Sequence, residues 1–276
     1  MQILKKGFSI FAGKQCTAYG GIEFDLNPIE IYEYSDMIEN MSNFMTGLNI
    51  GYDINAHQQL NLQILDSRNG SFNKTYGVET EDGEQPAIES GKLPLVYTLN
   101  WNGNFNDIFK TRWSASIMNE AKDKNLYYFA FGNELNLNKF NMFLDFMYSK
   151  EGIDRKGIMT GITGSMEGHN AFDAGYFSMV TKLNYRFLPK WNAFVKGMYE
   201  TASLTKQQGD LEKGKYRTAW GYFAGVEFYP MDTNLHFFLT YVGRSYDFTA
   251  RAKALGQENY STNRVSVGFI YQLPMF

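Results

Sequence analysis

The chain has 276 residues, a formal net charge of −3 and a mean hydropathy of −0.37. No stretch approaches the roughly 20 consecutive apolar residues of a membrane helix, and the single cysteine, Cys16, excludes an intramolecular disulfide. Aromatic residues nevertheless make up 17% of the chain, and 26 glycines stand against 6 prolines. This composition favours short strands joined by tight turns, with aromatic side chains in contact with lipid.

The first residues carry two lysines, Lys5 and Lys6, but no apolar core of about 7–15 residues and no small-residue cleavage site. We therefore expect either a mature form or a piece that lacks its original start. The first alternating segment covers about residues 8–13, and the next covers residues 46–54. In the second segment the even positions are mostly apolar, whereas the odd positions are Gly, Asn, Gly and Asp.

Twelve segments with this period of two follow one another, from about residues 8–13 to residues 265–273. In residues 93–101 every odd position is leucine, tyrosine or tryptophan, and in residues 109–117 polar even positions oppose Phe109, Trp113 and Ile117. A helix would instead place residues three or four apart on one face. The sequence therefore predicts an all-β protein with about twelve antiparallel strands.

The connections between these segments alternate in length. Short connections are predicted at residues 55–58, 102–106, 138–139, 188–190 and 230–234. Longer, polar connections are predicted at residues 66–91, 119–125, 149–171, 202–215 and 249–261. A transmembrane barrel has short periplasmic turns and longer extracellular loops, whereas a soluble sandwich has no reason to sort its loops this way.

The last segment also supports a barrel, because it alternates apolar and small residues and the chain stops on the aromatic Phe276. We therefore interpret residues 1–276 as one transmembrane β-barrel domain of the bacterial outer membrane. Its predicted lipid-facing residues are Leu48, Ile50, Tyr97, Trp113, Phe129, Phe146, Tyr185, Trp220, Phe237 and Phe269.

Residues 14–43 form a connection of unusual composition, since residues 20–35 are rich in Ile, Phe and Tyr and also in Glu and Asp. They are too apolar for a solvated loop and too acidic to face lipid. We expect this segment to fold inward and to narrow the lumen, with an ordinary surface loop as the alternative. The predicted constriction residues are Lys14, Tyr19, Glu23, Asp25, Glu30 and Glu33.

The alternation also assigns charged residues to the lumen, because an Arg or Lys on the lipid face near the midplane would cost ~2–4 kcal/mol. The basic lumenal residues are Lys110, Arg112, Lys182, Arg186, Lys196, Arg244 and Arg264. The acidic ones are Asp53, Glu134, Asp145, Glu200 and Glu227. Both signs are present, so we expect a mixed-charge lumen. The alternative is that these groups pair with one another and only stiffen the wall.

Three stretches near the N-terminus carry a resemblance to a known family: FAGKQ (residues 11–15), AYGGIEFD (residues 18–25) and NPIEIYEYS (residues 27–35). They resemble the phosphate-selective porin O and P family, in its Bacteroidetes-type branch, most closely over residues 8–66. The resemblance implies a 16-stranded barrel that is usually a homotrimer. We therefore expect several N-terminal strands to be missing from this chain. The family name implies phosphate, although the lumenal charges give it no independent support.

These observations predict a passive pore for small hydrophilic solutes or inorganic ions, with membrane lipid as its surroundings and no cofactor or metal. One alternative is a non-conducting barrel that serves as a structural or docking subunit of an envelope assembly. A more remote alternative is an outer-membrane phospholipase-like hydrolase, but His57, His169 and His236 show no sequence pattern that pairs a histidine with a serine nucleophile. The basic residues are dispersed, which disfavours nucleic-acid binding.

Overall fold

The fold is described from a computed structural model, which covers residues 2–5, 7–41, 44–67, 75–76, 88–89, 91–165, 169–230 and 235–271. In this part of the chain the strands are β1 (Gln2–Lys5), β2 (Phe8–Cys16), β3 (Phe44–Asn55), β4 (Gln58–Asp66), β5 (Thr75–Tyr76), β6 (Ile88–Glu89), β7 (Leu95–Phe105), β8 (Phe109–Ala121), β9 (Lys124–Leu137), β10 (Phe140–Ile153), β11 (Phe172–Leu188), β12 (Trp191–Leu204), β13 (Gly214–Phe228), β14 (Leu235–Phe248) and β15 (Tyr260–Tyr271). All except the small β5–β6 hairpin belong to one antiparallel sheet of thirteen strands, in which neighbours in the chain are neighbours in the sheet.

Short helices interrupt the connections between strands. They are α1 (Pro28–Ile31), α2 (Asp36–Glu39), α3 (Ile158–Thr163) and α4 (Ala250–Lys253), with a 3-10 turn at Glu23–Asp25. Within the described ranges, no helix is long and apolar enough to cross a membrane.

The predicted all-β antiparallel architecture is confirmed, since the twelve predicted segments correspond to β2–β4 and β7–β15. One further strand, β1, precedes them and pairs with β2. The strands β1 and β15 stand at the two ends of the pairing order, and no pairing joins them among the described residues. The terminal Phe276 lies outside those residues.

The predicted alternation of short and long connections holds with one exception. The connection predicted at residues 119–125 is wrong, because β8 continues to Ala121 and β9 begins at Lys124. Asn119 and Asn125 are cross-strand partners whose side chains share a 3.2 Å hydrogen bond, so these polar residues extend the ladder. Asp123 has a positive φ of 58°, which allows a two-residue turn. Of the connection predicted at residues 230–234, residues 231–234 lie outside the described residues.

The two faces of the wall differ as the alternation predicts. On β7, Tyr97 and Leu99 are exposed on the outer face, while Thr98 and Asn100 are buried on the inner face. Cross-strand pairs keep the same orientation around the sheet, so that Asn100 pairs with Ser114 inside and Tyr97 pairs with Ile117 outside. All ten residues predicted to contact lipid lie on the outer face. The outer face is therefore apolar and aromatic, whereas the inner face combines polar residues with a buried hydrophobic cluster that includes Met45, Phe143 and Met198.

A charge placed on the outer face should destabilise the folded wall. For Phe146→Arg on β10 we expect a loss of about 2–4 kcal/mol in the free energy of unfolding, because the guanidinium would have to enter the hydrocarbon. The measurement is urea-dependent folding into lipid vesicles. Asn136→Arg serves as the control, since Asn136 lines an inner cavity and is exposed to water. Equal losses for the two variants would contradict the assignment of the faces.

Candidate permeation path

The segment that joins β2 to β3 lies on the inner side of the wall, where Asp145 of β10 holds it. The Asp145 carboxylate accepts hydrogen bonds from the backbone N–H groups of Ile22 (2.9 Å) and Glu23 (2.7 Å). Gly132 of β9 faces the same point, and a Cβ on it would lie only 2.7 Å from the Cα of Gly21. Glycine is thus required where the two backbones meet. We call residues 17–41 the inner segment.

A buried ion pair fixes the middle of the inner segment. The Glu23 carboxylate lies 2.6 Å from the ammonium of Lys196 on β12, and neither side chain is exposed to solvent. Glu23 also accepts hydrogen bonds from the Ser35 hydroxyl (2.6 Å) and backbone N–H (3.2 Å), and Lys196 donates to the Glu33 carbonyl oxygen (2.6 Å). Each charge therefore compensates for the desolvation of the other, and neither could be removed alone without cost.

A second cluster holds the C-terminal part of the inner segment around Arg244 of β14. Its guanidinium contacts the carboxylates of Glu200 (2.9 Å), Asp36 (2.8 Å) and Glu33 (3.2 Å). Arg217 of β13 pairs with Asp36 at 2.5 Å. The cluster joins two arginines of the wall to two carboxylates of the inner segment and one of the wall. The positive charge of both arginines is therefore engaged by carboxylates.

Tyr32 anchors the inner segment nearer the short-turn end of the barrel. Its hydroxyl donates to the Glu227 carboxylate (2.7 Å), and its ring stacks on Phe194 with 4.9 Å between centroids. Burial, reinforced by the negative charge of Glu227, raises the pKa of the Tyr32 hydroxyl, which therefore stays a donor at neutral pH. Next to it, Lys182 donates to the carbonyl oxygen of Glu30.

Three further ion pairs lie at the margins of the inner segment and of the lumen. Arg112 of β8 pairs with Asp25, and Arg264 of β15 lies 3.2 Å from Glu33. Lys110 approaches Glu134 of β9 to 3.9 Å, a looser contact between partly exposed groups. Exposed pairs of this kind are weak because water and salt screen them. These charges remain accessible to ions in the lumen.

Tyr19 lies at the start of the inner segment and is buried against the wall. Its ring lies 5.2 Å from that of Tyr128, and its carbonyl oxygen accepts a hydrogen bond from the Ser114 hydroxyl. Burial raises the pKa of Tyr19 to about 12. Tyr19 therefore acts as a neutral packing residue.

The assignment of Lys14 to the constriction is wrong. Strand β2 continues to Cys16, so Lys14 belongs to the wall. Its neighbour Gln15 points inward and hydrogen bonds to Gln63 (3.4 Å), and Lys14 therefore points outward, where it is exposed. The predicted segment begins at residue 14, whereas β2 ends at Cys16 and the inner segment begins at residue 17.

Two water-accessible cavities of about 680 and 810 Å³ open at the short-turn end of the barrel. Both are bounded by Ile22, Leu26 and Glu134, so the edge of the inner segment separates them. The charged residues that line the first are Glu30, Glu134, Lys139, Lys182, Arg186 and Glu227. The charged residues that line the second are Asp25, Asp53, Lys110, Arg112 and Glu134.

The structure thus separates the predicted lumenal charges into two groups. Asp145, Lys196, Glu200 and Arg244 are buried beneath the inner segment, as is Glu23 within it, and Lys182 and Glu227 are buried where they bind the segment beside the first cavity. Arg186 is exposed and forms no ion pair within the described part of the chain. The remaining predicted residues, including Asp53, which accepts a hydrogen bond from Gln59, face water or lie beside the cavities.

Sequence reasoning missed Asp36 and Arg217, which complete the arginine cluster. The alternation of β13 contained the signal for Arg217, since it shares the parity of the inward residues Ala219 and Phe223. Asp36 lies within the predicted segment 14–43, directly after its apolar and acidic stretch at residues 20–35, and no pattern in the sequence shows that this carboxylate faces two arginines.

The sequence matches the family model for phosphate-selective porin O and P over residues 2–273. The chain belongs to this porin family. The resemblance carried by residues 8–66 is thereby confirmed, together with the outer-membrane β-barrel fold and location. No curated protein sequence matches this porin significantly.

Solved outer-membrane proteins share the fold of the porin at low identity. The channel DcaP of Acinetobacter baumannii has a TM-score of 0.65 and 10% identity, over 95% of this chain and 70% of DcaP. OccAB3 of Acinetobacter baumannii has a TM-score of 0.55 and 13% identity, over 100% of this chain and 66% of OccAB3. The trimer form of OmpT from Vibrio cholerae has a TM-score of 0.55 and 11% identity, over 90% of this chain and 69% of OmpT. The porin therefore spans about two thirds of the length of these chains.

Removing the buried carboxylate should loosen the inner segment. Glu23→Gln leaves the Lys196 ammonium buried without its charged partner, a change that costs about 3–5 kcal/mol when a buried pair is broken. We expect faster hydrogen exchange of the Ile22 amide, which donates to Asp145, measured by mass spectrometry or NMR in detergent. Glu39→Gln is the matched control, because Glu39 lies on the same segment and is exposed. Unchanged exchange in Glu23→Gln would show that the pair does not hold the segment.

Proposed function

We propose that this porin is a passive pore for small hydrophilic solutes and inorganic ions, narrowed by the inner segment. The supporting observation is the contrast between an apolar outer face and an inner side that holds the charged residues of the wall and two water-accessible cavities. Such a wall lets ions cross a membrane without entering hydrocarbon. The membership of the porin family and the fold point to a channel rather than an enzyme.

The position of the inner segment suggests where solutes pass. After Ala18, which hydrogen bonds to Gln63 of β4 (2.7 Å), its polar contacts are with strands β8 to β15. Its exposed residues include Asn27, Glu30 and Glu39. We propose that solutes pass beside this exposed edge through the two cavities, one of which is lined by Asp53 of β3 and the other by Arg186 of β11.

The charges along this path favour broad permeation over phosphate selectivity. The basic groups of the wall that would attract an anion most strongly, Lys196, Arg217 and Arg244, are neutralised by carboxylates of the inner segment. The exposed edge itself carries the carboxylates of Glu30 and Glu39. Rings of unpaired Arg or Lys would be needed for strong anion preference. We therefore propose weak charge selectivity.

A docking subunit is the second candidate, favoured by contacts at the long-loop end. Gln257, in the β14–β15 connection, donates to the carbonyl oxygens of Gly161 and Ile162 in the β10–β11 connection, both at 3.3 Å. These two connections therefore meet over one side of the outer opening. A barrel closed at this end would not conduct. Planar-bilayer recording separates the candidates, because a pore gives discrete conductance steps whereas a docking subunit gives none.

Hydrolase activity lacks support from the geometry. His57 and His169 each hydrogen bond to a backbone carbonyl, and His236 packs on Tyr229. Within the described residues no histidine hydrogen bonds to a serine hydroxyl, the pairing that activates a serine nucleophile.

We expect the assembly to be a homotrimer, supported by the trimer form of OmpT with the same fold. A porin trimer buries part of the apolar outer face of each chain against its neighbours. Light scattering of the detergent-solubilised protein should give a protein mass of three times 31.7 kDa. A mass equal to one chain would contradict the trimer without affecting the proposal of a pore.

Reversing a free lumenal charge should shift ion preference. We expect Arg186→Glu to move the reversal potential in a salt gradient toward cations, because this cation lies in a cavity without a paired carboxylate in the described residues. Arg112→Glu should shift the potential in the same direction and also loosen Asp25, its partner. The measurement is the zero-current potential of single channels in a planar bilayer.

Lys14→Glu is the control for these reversals, because it makes the same change of charge on the outer face. It should leave the reversal potential unchanged. If Arg186→Glu also leaves the potential unchanged while conductance steps persist, the cavity beside Arg186 does not belong to the permeation path. An equal shift in Lys14→Glu would contradict the register of β2.

A further inference from the structure

A row of residues with two lysines crosses the outer face of the wall near its long-loop end. Lys150 of β10 is paired with Gly175 of β11, Gly175 with Ser203 of β12, and Ser203 with Lys215 of β13. Directly paired residues share a face, and Ser203 has the parity of the outward residue Tyr199. We call Lys150 and Lys215 the outer lysine pair. Three strand spacings separate them, a distance of roughly 14 Å.

The height of this row places it at the edge of the hydrocarbon. Strand β10 begins at Phe140 beside a short turn, and Lys150 lies ten residues further along. Ten residues span ~33 Å along a strand, and at a tilt of ~40° they rise ~25 Å, the height of the apolar band of such barrels. Short turns are periplasmic, so the outer lysine pair lies at the head-group level of the outer leaflet.

The outer lysine pair carries positive charge without a carboxylate partner in the described part of the chain. Lys150 is half-buried and Lys215 is exposed, and neither forms an ion pair there. Two carboxylates close to this row in the chain are paired with other cations, Asp173 with Lys206 at 2.9 Å and Glu212 with Arg251 at 3.3 Å. Gly175 and Ser203 lie between the outer lysine pair, with the Thr205 methyl group packed over Gly175, so no long side chain of this row separates the two ammonium groups.

Toward the short-turn end, the next row of the same face carries hydroxyl groups, and the row after it is mainly aromatic. The next row contains Tyr148, Phe177, Thr201 and Thr218, and the row after it contains Phe146, Met179, Tyr199 and Trp220. Tyr199 and Trp220 are in contact, with ring centroids 4.7 Å apart. Aromatic side chains at this depth pack against the upper part of acyl chains.

We propose that the outer lysine pair binds the phosphate groups of an anionic, phosphorylated lipid in the outer leaflet, whose acyl chains lie on the aromatic rows below. The charge matches, because ammonium groups form strong hydrogen bonds to phosphate oxygens. The depth also matches, because the ammonium groups lie at the membrane edge and the rings lie within the apolar band. A soluble anion would gain nothing from these rings. The proposal depends on the location of the barrel and not on conduction.

The test is native mass spectrometry of the detergent-solubilised porin with two probes. One probe is an acylated glucosamine disaccharide that carries two phosphates, and the other is the same lipid without phosphates. We expect the phosphorylated lipid to bind more tightly. Lys150→Gln/Lys215→Gln should weaken its binding about 30-fold, which corresponds to about 1 kcal/mol for each lysine at an anionic membrane surface. Binding of the dephosphorylated lipid should be unaffected.

Lys139→Gln/Lys190→Gln is the matched control, because it removes two lysines from periplasmic turns. This variant should bind the phosphorylated lipid like the unsubstituted porin. Equal binding of the two lipids, or equal weakening by both double variants, would overturn the proposal. Displacement of the lipid by inorganic phosphate at low millimolar concentration would also overturn it, because it would show a site for a soluble anion. Unchanged conductance of Lys150→Gln/Lys215→Gln would keep this test independent of the permeation test.

Discussion

The hydrocarbon of a bilayer offers the backbone no hydrogen-bond partner, and this constraint determines most of the structure of the porin. Every N–H and C=O group at that depth must be paired within the protein, which each strand of the wall between β1 and β15 achieves with neighbours on both sides. In a paired strand successive side chains point to opposite faces, so they alternate between the lipid side and the inner side of the wall. Trp113 therefore meets lipid, while Ser114, the next residue, meets the interior. The outer aromatics and the inner polar residues follow from the same ladder.

The second consequence concerns charge inside the barrel. A wide polar lumen would leave Lys196, Arg217 and Arg244 hydrated, but the inner segment displaces that water and must supply partners. It does so with Glu23, Asp36 and Glu33. The attraction between wall and segment thus holds the segment down and removes the strongest anion-attracting groups from the lumen. In the pore proposed above, one set of contacts would both narrow the lumen and weaken its charge selectivity.

Most of the wall could be predicted from the sequence because its signal is local. Alternation needs only neighbouring residues, and it located twelve of the thirteen strands in the large sheet. The inner segment could be suspected from composition, since residues 20–35 suit neither water nor lipid. Its contacts could not be predicted. Glu23 meets Lys196 and Asp36 meets Arg244 across more than 170 residues of sequence, and nothing local encodes such pairs. The prediction that Lys14 belongs to the constriction failed for a related reason. The end of β2 depends on pairing with Thr46 and Phe44 of β3, about 30 residues later in the chain.

A single irregularity decides how the basic residues of β13 divide between lumen and membrane. Between β12 and β13 the register shifts, so that Ala202 pairs with Arg217 but Ser203 pairs with Lys215, and Tyr216 is the extra residue of a bulge. Without it, residues 215 and 217 would share a face. Both charges would then point at Asp36, or both would enter lipid. Because of the bulge, Arg217 binds Asp36 of the inner segment while Lys215 is exposed on the outer face. One strand thus carries a basic residue on each of its two faces.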